Sequence, residues 1–203
     1  MWIRGAAIRP VPPHAVVEPR ILAEVEADVG ESESHEMLTR WQARYEAEQP
    51  AMADRLTTLL DSPLDDTALA VGFFLEIVIY ATFVRAFAAR LRPVSSDLLH
   101  ATEESVSVEE ELRADHPEEP LEVDDVLRAE QPAIVNFIQD HIDAVLETSD
   151  DDDAVGLDVA GGGVDVDDLQ RVYRHVMISV LTLSHAVMPP ATYSPGNSSE
   201  AMA

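Results

Sequence analysis

Residues 69–84 read LAVGFFLEIVIYATFV, sixteen positions with a single charge, Glu76, at their centre. A helix that is apolar on all sides has no face to give to water and must be enclosed by protein or lipid. The run falls short of the roughly 20 residues a membrane-spanning helix needs, and an ionisable group sits at its midpoint. The reading is therefore a central core helix of an all-α protein, with no membrane involvement. Upstream, DSPLDD offers Asp66 or Thr67 as the cap. Downstream, RAFAARLRP places Arg85, Arg90 and Arg92 where the helix dipole favours cations, and Pro93 stops the run, giving an expected helix from Thr67 to about Leu91.

A second long apolar helix is expected in DDLQRVYRHVMISVLTLSHAVM, residues 167–188, with Asp167 or Asp168 near its start and Pro189 just past its end. Each long helix is preceded by the pentapeptide AEQPA, at residues 47–51 and again at 129–133. Proline removes one helical N–H and biases the residue before it away from the α conformation. Gln49-Pro50 and Gln131-Pro132 should thus be structural junctions between two helical segments. On their flanks, Met37, Leu38, Trp41 and Tyr45, then Met52, Leu56, Leu59 and Leu60, and later Ile134, Val135, Phe137, Ile138, Ile142 and Val145, recur at helical spacing.

The expected architecture is one helical domain, 18–188, made of two pseudo-twofold-related repeats. Each repeat reads helix, QP junction, helix, acidic loop, long core helix. Repeat one spans 34–92, a connector with one or two helices 93–122, and repeat two 123–188 with a flexible acidic insertion at 148–165. An earlier helix is signalled by PRILAEVEAD from Pro19. The Pro-rich residues 1–17 read as an extended N-terminal tail and the Pro/Ser-rich residues 189–203 as a disordered C-terminal one.

All 13 basic residues are arginine, cysteine is absent, and the formal charge is −26. Without cysteine there is no disulfide scaffold and no thiol nucleophile. No apolar segment follows Arg4 and Arg9 as a secretory signal would require, so the expected compartment is the cytoplasm. The acid is regional. From Glu103 to Asp168 there are 23 acidic residues against Arg113 and Arg128, a net −21, leaving −5 for all the rest. A basic face for phosphate neutralisation is missing, which argues against direct binding to a nucleic-acid backbone. A local acidic region suits a protein partner with a basic surface, and a homodimer is compatible with the same composition.

Candidate chemistry is sparse. An EF-type calcium loop begun at Asp151 puts Asp153 and Gly156 correctly, but Val155 and Gly162 stand where an oxygen ligand and the bidentate glutamate belong. The loop reads as a solvated insertion. No nucleophile elbow, phosphate loop, HExxH or dinucleotide fingerprint is present, so no catalytic residue and no cofactor is expected. Glu76 stands out, because a charge facing a core costs several kcal/mol unless it is paired or protonated. Aligning EIVIYATFV with HVMISVLTL sets Glu76 opposite His175, the one pair that could hold a metal or exchange a proton at the bundle centre. The structural alternative bonds Glu76 to Tyr80 one turn on, or to an arginine. His141 and His185 read as surface or helix-end residues. The expectation is a non-catalytic helical interaction or regulatory protein. Its competitor is a helical-bundle metal-dependent enzyme or ligand-binding protein centred on Glu76 and His175.

Overall fold

The computed structural model describes residues 7–30, 34–114, 123–150 and 164–191. They form eight helices: α1 (Pro19–Gly30), α2 (Ser34–Glu48), α3 (Pro50–Leu60), α4 (Asp66–Phe87), α5 (Ser96–Ala114), α6 (Val123–Glu130), α7 (Pro132–Asp150) and α8 (Val166–Ala186). There is no strand among the described residues, so the all-α reading holds. The acidic loop at 151–163, its calcium-like spacing included, lies outside the described residues, as do 115–122 and 192–203.

α4 is the axis of the molecule. α8 lies along it, and α1, α2, α3 and α7 close the remaining sides. Leu75, Ile77, Ile79, Tyr80 and Phe83 have essentially no exposed surface, and neither do Val172, Val176, Ile178 and Val180 of α8. Each large side chain so enclosed contributes about 1.5–3 kcal/mol of transfer free energy. Gly72 permits the close approach of the two helices: a methyl group there would lie 3.1 Å from Val172 Cγ1 and 3.3 Å from Leu59 Cδ2. By length and composition α4 could cross a membrane, and in this fold its apolar surface is largely enclosed.

The helix ends differ in detail from expectation. Asp65 caps α4, its carboxylate accepting the N–H groups of Thr67 at 2.8 Å and Ala68 at 3.3 Å, in place of Asp66 or Thr67. Asp165 caps α8 through the Asp167 N–H at 2.9 Å. α4 stops at Phe87 rather than near Leu91, because Ala88 adopts φ 46° and ψ −123°, a positive-φ conformation outside the helical regions. That costs an alanine about 1–3 kcal/mol. The reversal brings Leu91 beside Val187, where Arg92 N–H donates to Ala186 O at 3.1 Å and Met188 N–H to Arg90 O at 2.8 Å. The connector contributes one long helix, α5.

The expected loose N-terminal tail requires correction. Among residues 7–17, Ile8, Val11, Ala15 and Val17 are buried. The segment is extended apart from a short turn at Pro13–Ala15, and it is strapped to the bundle. Val11 N–H donates to Glu130 Oε2 at 2.7 Å, and the imidazoles of His185 and His14 reach Arg9 O and Val187 O at 3.2 and 3.1 Å. Its prolines favour extension, but its apolar residues find a groove, and the extended backbone is satisfied by side chains of α6 and α8.

Both QP junctions take the expected form. α2 ends at Glu48, α6 ends at Glu130, and the prolines open α3 and α7. The glutamines do more than punctuate, for both are buried. Gln49 Oε1 accepts Val94 N–H at 2.8 Å while its Nε2 donates to Arg92 O at 3.2 Å. Gln131 Oε1 accepts Val17 N–H at 3.0 Å while its Nε2 donates to Ala15 O at 2.7 Å and Ser184 Oγ at 3.0 Å. Each amide grips an extended segment by the carbonyl of one residue and the N–H of the residue two further on.

Candidate functional site: a buried acid–imidazole pair beneath an arginine-lined cleft

Glu76 projects from the middle of α4 and is 1% exposed. Tyr45 of α2 donates its hydroxyl to Glu76 Oε1 at 2.6 Å. The other oxygen, Oε2, faces His175 Nε2 of α8 across 3.8 Å. That separation exceeds a hydrogen bond. Neither atom meets the geometry of a hydrogen bond, although both are buried, and the Ser179 hydroxyl is close enough to act on the Glu76 carboxyl. The expected alternative, a bond from Tyr80, is not formed: Tyr80 donates to Glu48 Oε2 at 2.7 Å.

Burial raises the Glu76 pKa above its usual value, with the Arg55 charge and the hydroxyls of Tyr45 and Ser179 opposing the rise. Burial, reinforced by Arg55, pushes His175 down to about 3. The distance alone would suit an ion pair. The two shifts argue instead for a neutral acid facing a neutral imidazole, because desolvation penalises both charged forms and Arg55 is already the cation of the cluster. The gap closes to a hydrogen bond only by a side-chain shift, since 3.8 Å leaves no room for a third atom between them.

Arg55, on α3, ties this pair to the surface. Its Nε donates to Glu103 Oε1 of α5 at 2.8 Å, its Nη1 to Ser179 Oγ at 3.0 Å and its Nη2 to the His175 carbonyl at 3.0 Å. The side chain is only 11% exposed. Above it opens a cleft of about 580 Å3 between α3, α5 and α8, within the range that holds small organic ligands. Leu59, Pro63, Leu64 and Leu99 provide apolar lining; Arg55, Arg171, Arg174 and His175 provide the polar lining, with Glu103 among them. A second depression of about 450 Å3 shares Arg171 and Arg174 and continues over Val106, Tyr173 and Met177.

Glu76 and His175 are thus brought together, whereas the junction residues Gln49, Pro50, Gln131 and Pro132 serve the backbone clamps described above. As metal ligands the pair is short. No group of three or more histidines and carboxylates that could hold an ion occurs among the described residues, and a metal centre takes at least three protein ligands as a rule. His141 Nδ1 is bonded to Phe137 O at 2.9 Å, within its own helix. Sequence reading missed Tyr45, Arg55, Glu103 and Ser179. Arg55 carried a signal: it sits three residues after Met52 and four before Leu59, on the apolar stripe of α3, where an unaccompanied arginine demands partners.

These features define an all-α protein with a polar pair buried in its core, under an amphipathic cleft. Comparison with protein-family models, curated proteins and solved structures returned no match.

Proposed function

We propose that this chain is a helical ligand-binding protein, regulatory in character, that takes a small organic molecule into the cleft between α3, α5 and α8. One observation carries the reading: the cleft is floored by His175 and Arg55, and directly behind them Glu76 Oε2 and His175 Nε2 are buried without a hydrogen bond of normal geometry. Unsatisfied buried polar atoms cost about 1–3 kcal/mol each, a cost stable folds avoid unless a site needs the groups free. Docking of a basic protein partner on the acidic region is the weaker alternative. Within that region Glu103 and Glu110 are held by Arg55 and Arg174, Glu130 by the strap, and Asp168 by the Asp65 N–H. These four carboxylates are therefore already engaged within the chain.

The architecture behind the cleft is proposed to be two pseudo-twofold-related repeats. Support comes from the matching clamps of Gln49 and Gln131 and from the helix ends. Phe87 and Ala186 stand at the same sequence offset as Glu76 and His175. The short turn at Ala88–Arg90 then accounts for the smaller offset of the Leu91–Val187 pair.

Saturation-transfer NMR with a fragment mixture of neutral, cationic and anionic compounds tests the ligand reading. Fragments should bind the wild-type protein, and Ser62→Trp, which fills the cleft, should abolish their signals. Hits unaffected by Ser62→Trp, or no hits at all, would refute it.

A further inference from the structure

The chemistry of the cleft specifies its ligand further, and this step rests on the ligand-binding reading above. We infer that the cleft takes an amphipathic anion: a short apolar body ending in a carboxylate or phosphate group. The chain as a whole carries −26, so its long-range field repels anions, and an anion can be held only where cations are concentrated locally. Three of the 13 arginines converge on this one cleft, each paired on one side with a carboxylate, Arg55 with Glu103, Arg171 with Asp168 and Arg174 with Glu110, and among the described residues only Glu103 of these lines the cleft itself. They are unequally committed. Arg55 is fully engaged with Glu103, Ser179 and the His175 carbonyl, and it fixes the floor. Arg174 uses Nε on Glu110 and Nη2 on Ser107, leaving Nη1. Arg171 makes one long bond, Nη1 to Asp168 Oδ1 at 3.3 Å, and is 64% exposed, so most of its guanidinium fork remains available.

Arg171 and Arg174 are also the two residues shared with the neighbouring depression, so both side chains border the two hollows. A planar guanidinium matches carboxylate and phosphate oxygens in paired hydrogen bonds, and two such groups at one mouth form a seat for an anionic head. The opposite lining is of another kind. Leu59, Pro63, Leu64 and Leu99 offer surface that only an apolar body covers favourably. A purely ionic ligand would leave that wall wet; a purely apolar one would leave the two arginines unmatched. The joint lining selects a molecule with both parts.

The test uses the full chain and two fluorescent probes with the same aromatic body, 8-anilinonaphthalene-1-sulfonate, which is anionic, and N-phenyl-1-naphthylamine, which is neutral. The sulfonate should bind saturably at one site, at least tenfold more tightly than the amine. The double variant Arg171→Ala/Arg174→Ala, checked for native helicity by circular dichroism, should lose tenfold or more in sulfonate affinity while the amine changes less than twofold. Octanoate and octyl phosphate should displace the sulfonate and octanol should not; which of the two displaces better tells a carboxylate from a phosphate head. Equal affinity for both probes, with neither altered in the double variant, or displacement by octanol as effective as by the anions, would overturn the anion assignment. If Ser62→Trp still abolishes both probes in that case, the cleft remains a ligand site. Probe binding that never saturates, or that Ser62→Trp leaves intact, sinks the ligand reading itself.

Discussion

The buried pair makes a specific demand on how stability varies with pH. Unfolded, Glu76 titrates near 4.5 and His175 near 6.5. Folded, Glu76 holds its proton to higher pH and His175 takes one up only near pH 3. For His175 the folded pKa is depressed: above pH 6.5 its contribution is complete, and below that the unfolded chain takes up a proton the folded one refuses, so stability falls with falling pH down to about 3. For Glu76 the folded pKa is raised. Its contribution is complete below 4.5 and declines as pH rises towards the folded value. One proton of difference corresponds to about 1.4 kcal/mol per pH unit. Above pH 4.5 the two slopes have opposite sign, because the unfolded chain keeps a proton on the imidazole that the folded one refuses, while the folded chain keeps a proton on the carboxyl that the unfolded one has released. The two therefore offset one another in the wild-type protein, and each single variant uncovers one slope. Urea denaturation at pH 4.5, 5.5 and 6.5 provides the measurement, and subtracting each variant from wild type removes the background of the other carboxylates. The wild-type advantage over Glu76→Gln should shrink as pH rises above 4.5, and that over His175→Leu should grow by up to about 1.4 kcal/mol per unit. Parallel profiles for wild type and either variant would refute the neutral acid–imidazole assignment and favour an ion pair.

Four other expectations follow from the fold. Gln131→Ala strands the Val17 N–H and Ala15 carbonyl, both on buried residues, and should cost about 2–4 kcal/mol in urea denaturation. Gln49→Ala, whose Arg92 partner lies at an exposed residue, should cost about 1–2 kcal/mol; a reversed order would contradict the clamp geometry. Tyr45→Phe removes a 2.6 Å bond that holds the Glu76 pKa down, should lower stability by about 1–3 kcal/mol and should extend the loss above pH 4.5 to higher pH, with an unchanged pH profile counting against it. Ile8→Ala should cost about 2–4 kcal/mol if the N-terminal strap is part of the core, whereas a loose tail predicts no more than about 0.5 kcal/mol by thermal or urea melting.

How much of this the sequence disclosed follows from the range of each interaction. The apolar run around Glu76, the proline after each glutamine and the 3.6-residue stripes are local signals, and they located the helices and the junctions. Helix ends were less legible. Asp65 was passed over for its neighbours because three candidate caps stand together in DDT, and the stop at Ala88 is imposed by the Leu91–Val187 pairing, a contact between segments 96 positions apart. The strap is the clearest failure of local reasoning. Prolines in IRPVPPHAVVEP correctly signal extended backbone, but burial of Ile8, Val11, Ala15 and Val17 depends on distant partners, the Glu130 carboxylate of α6, the Gln131 amide of the junction and the His185 imidazole of α8.

The polar cluster divides along the same line. Glu76 and His175 were legible as a pair because both lie on long apolar helices that have little choice but to pack together, which leaves only their register to be set. Tyr45 and Arg55 come from α2 and α3, and nothing in their immediate neighbours names α4 or α8 as their target. What could have been asked of them is a question of satisfaction: a tyrosine and an arginine on apolar stripes each need a partner of opposite hydrogen-bonding character once enclosed. Glu76 needs a donor for the same reason, and His175 needs a counterpart at the same depth. Solving those four needs together, rather than one residue at a time, leads to the observed arrangement, in which Glu76 Oε2 and His175 Nε2 face each other just beyond hydrogen-bond reach because each is already positioned by its own helix and by the Tyr45 and Arg55 contacts around it.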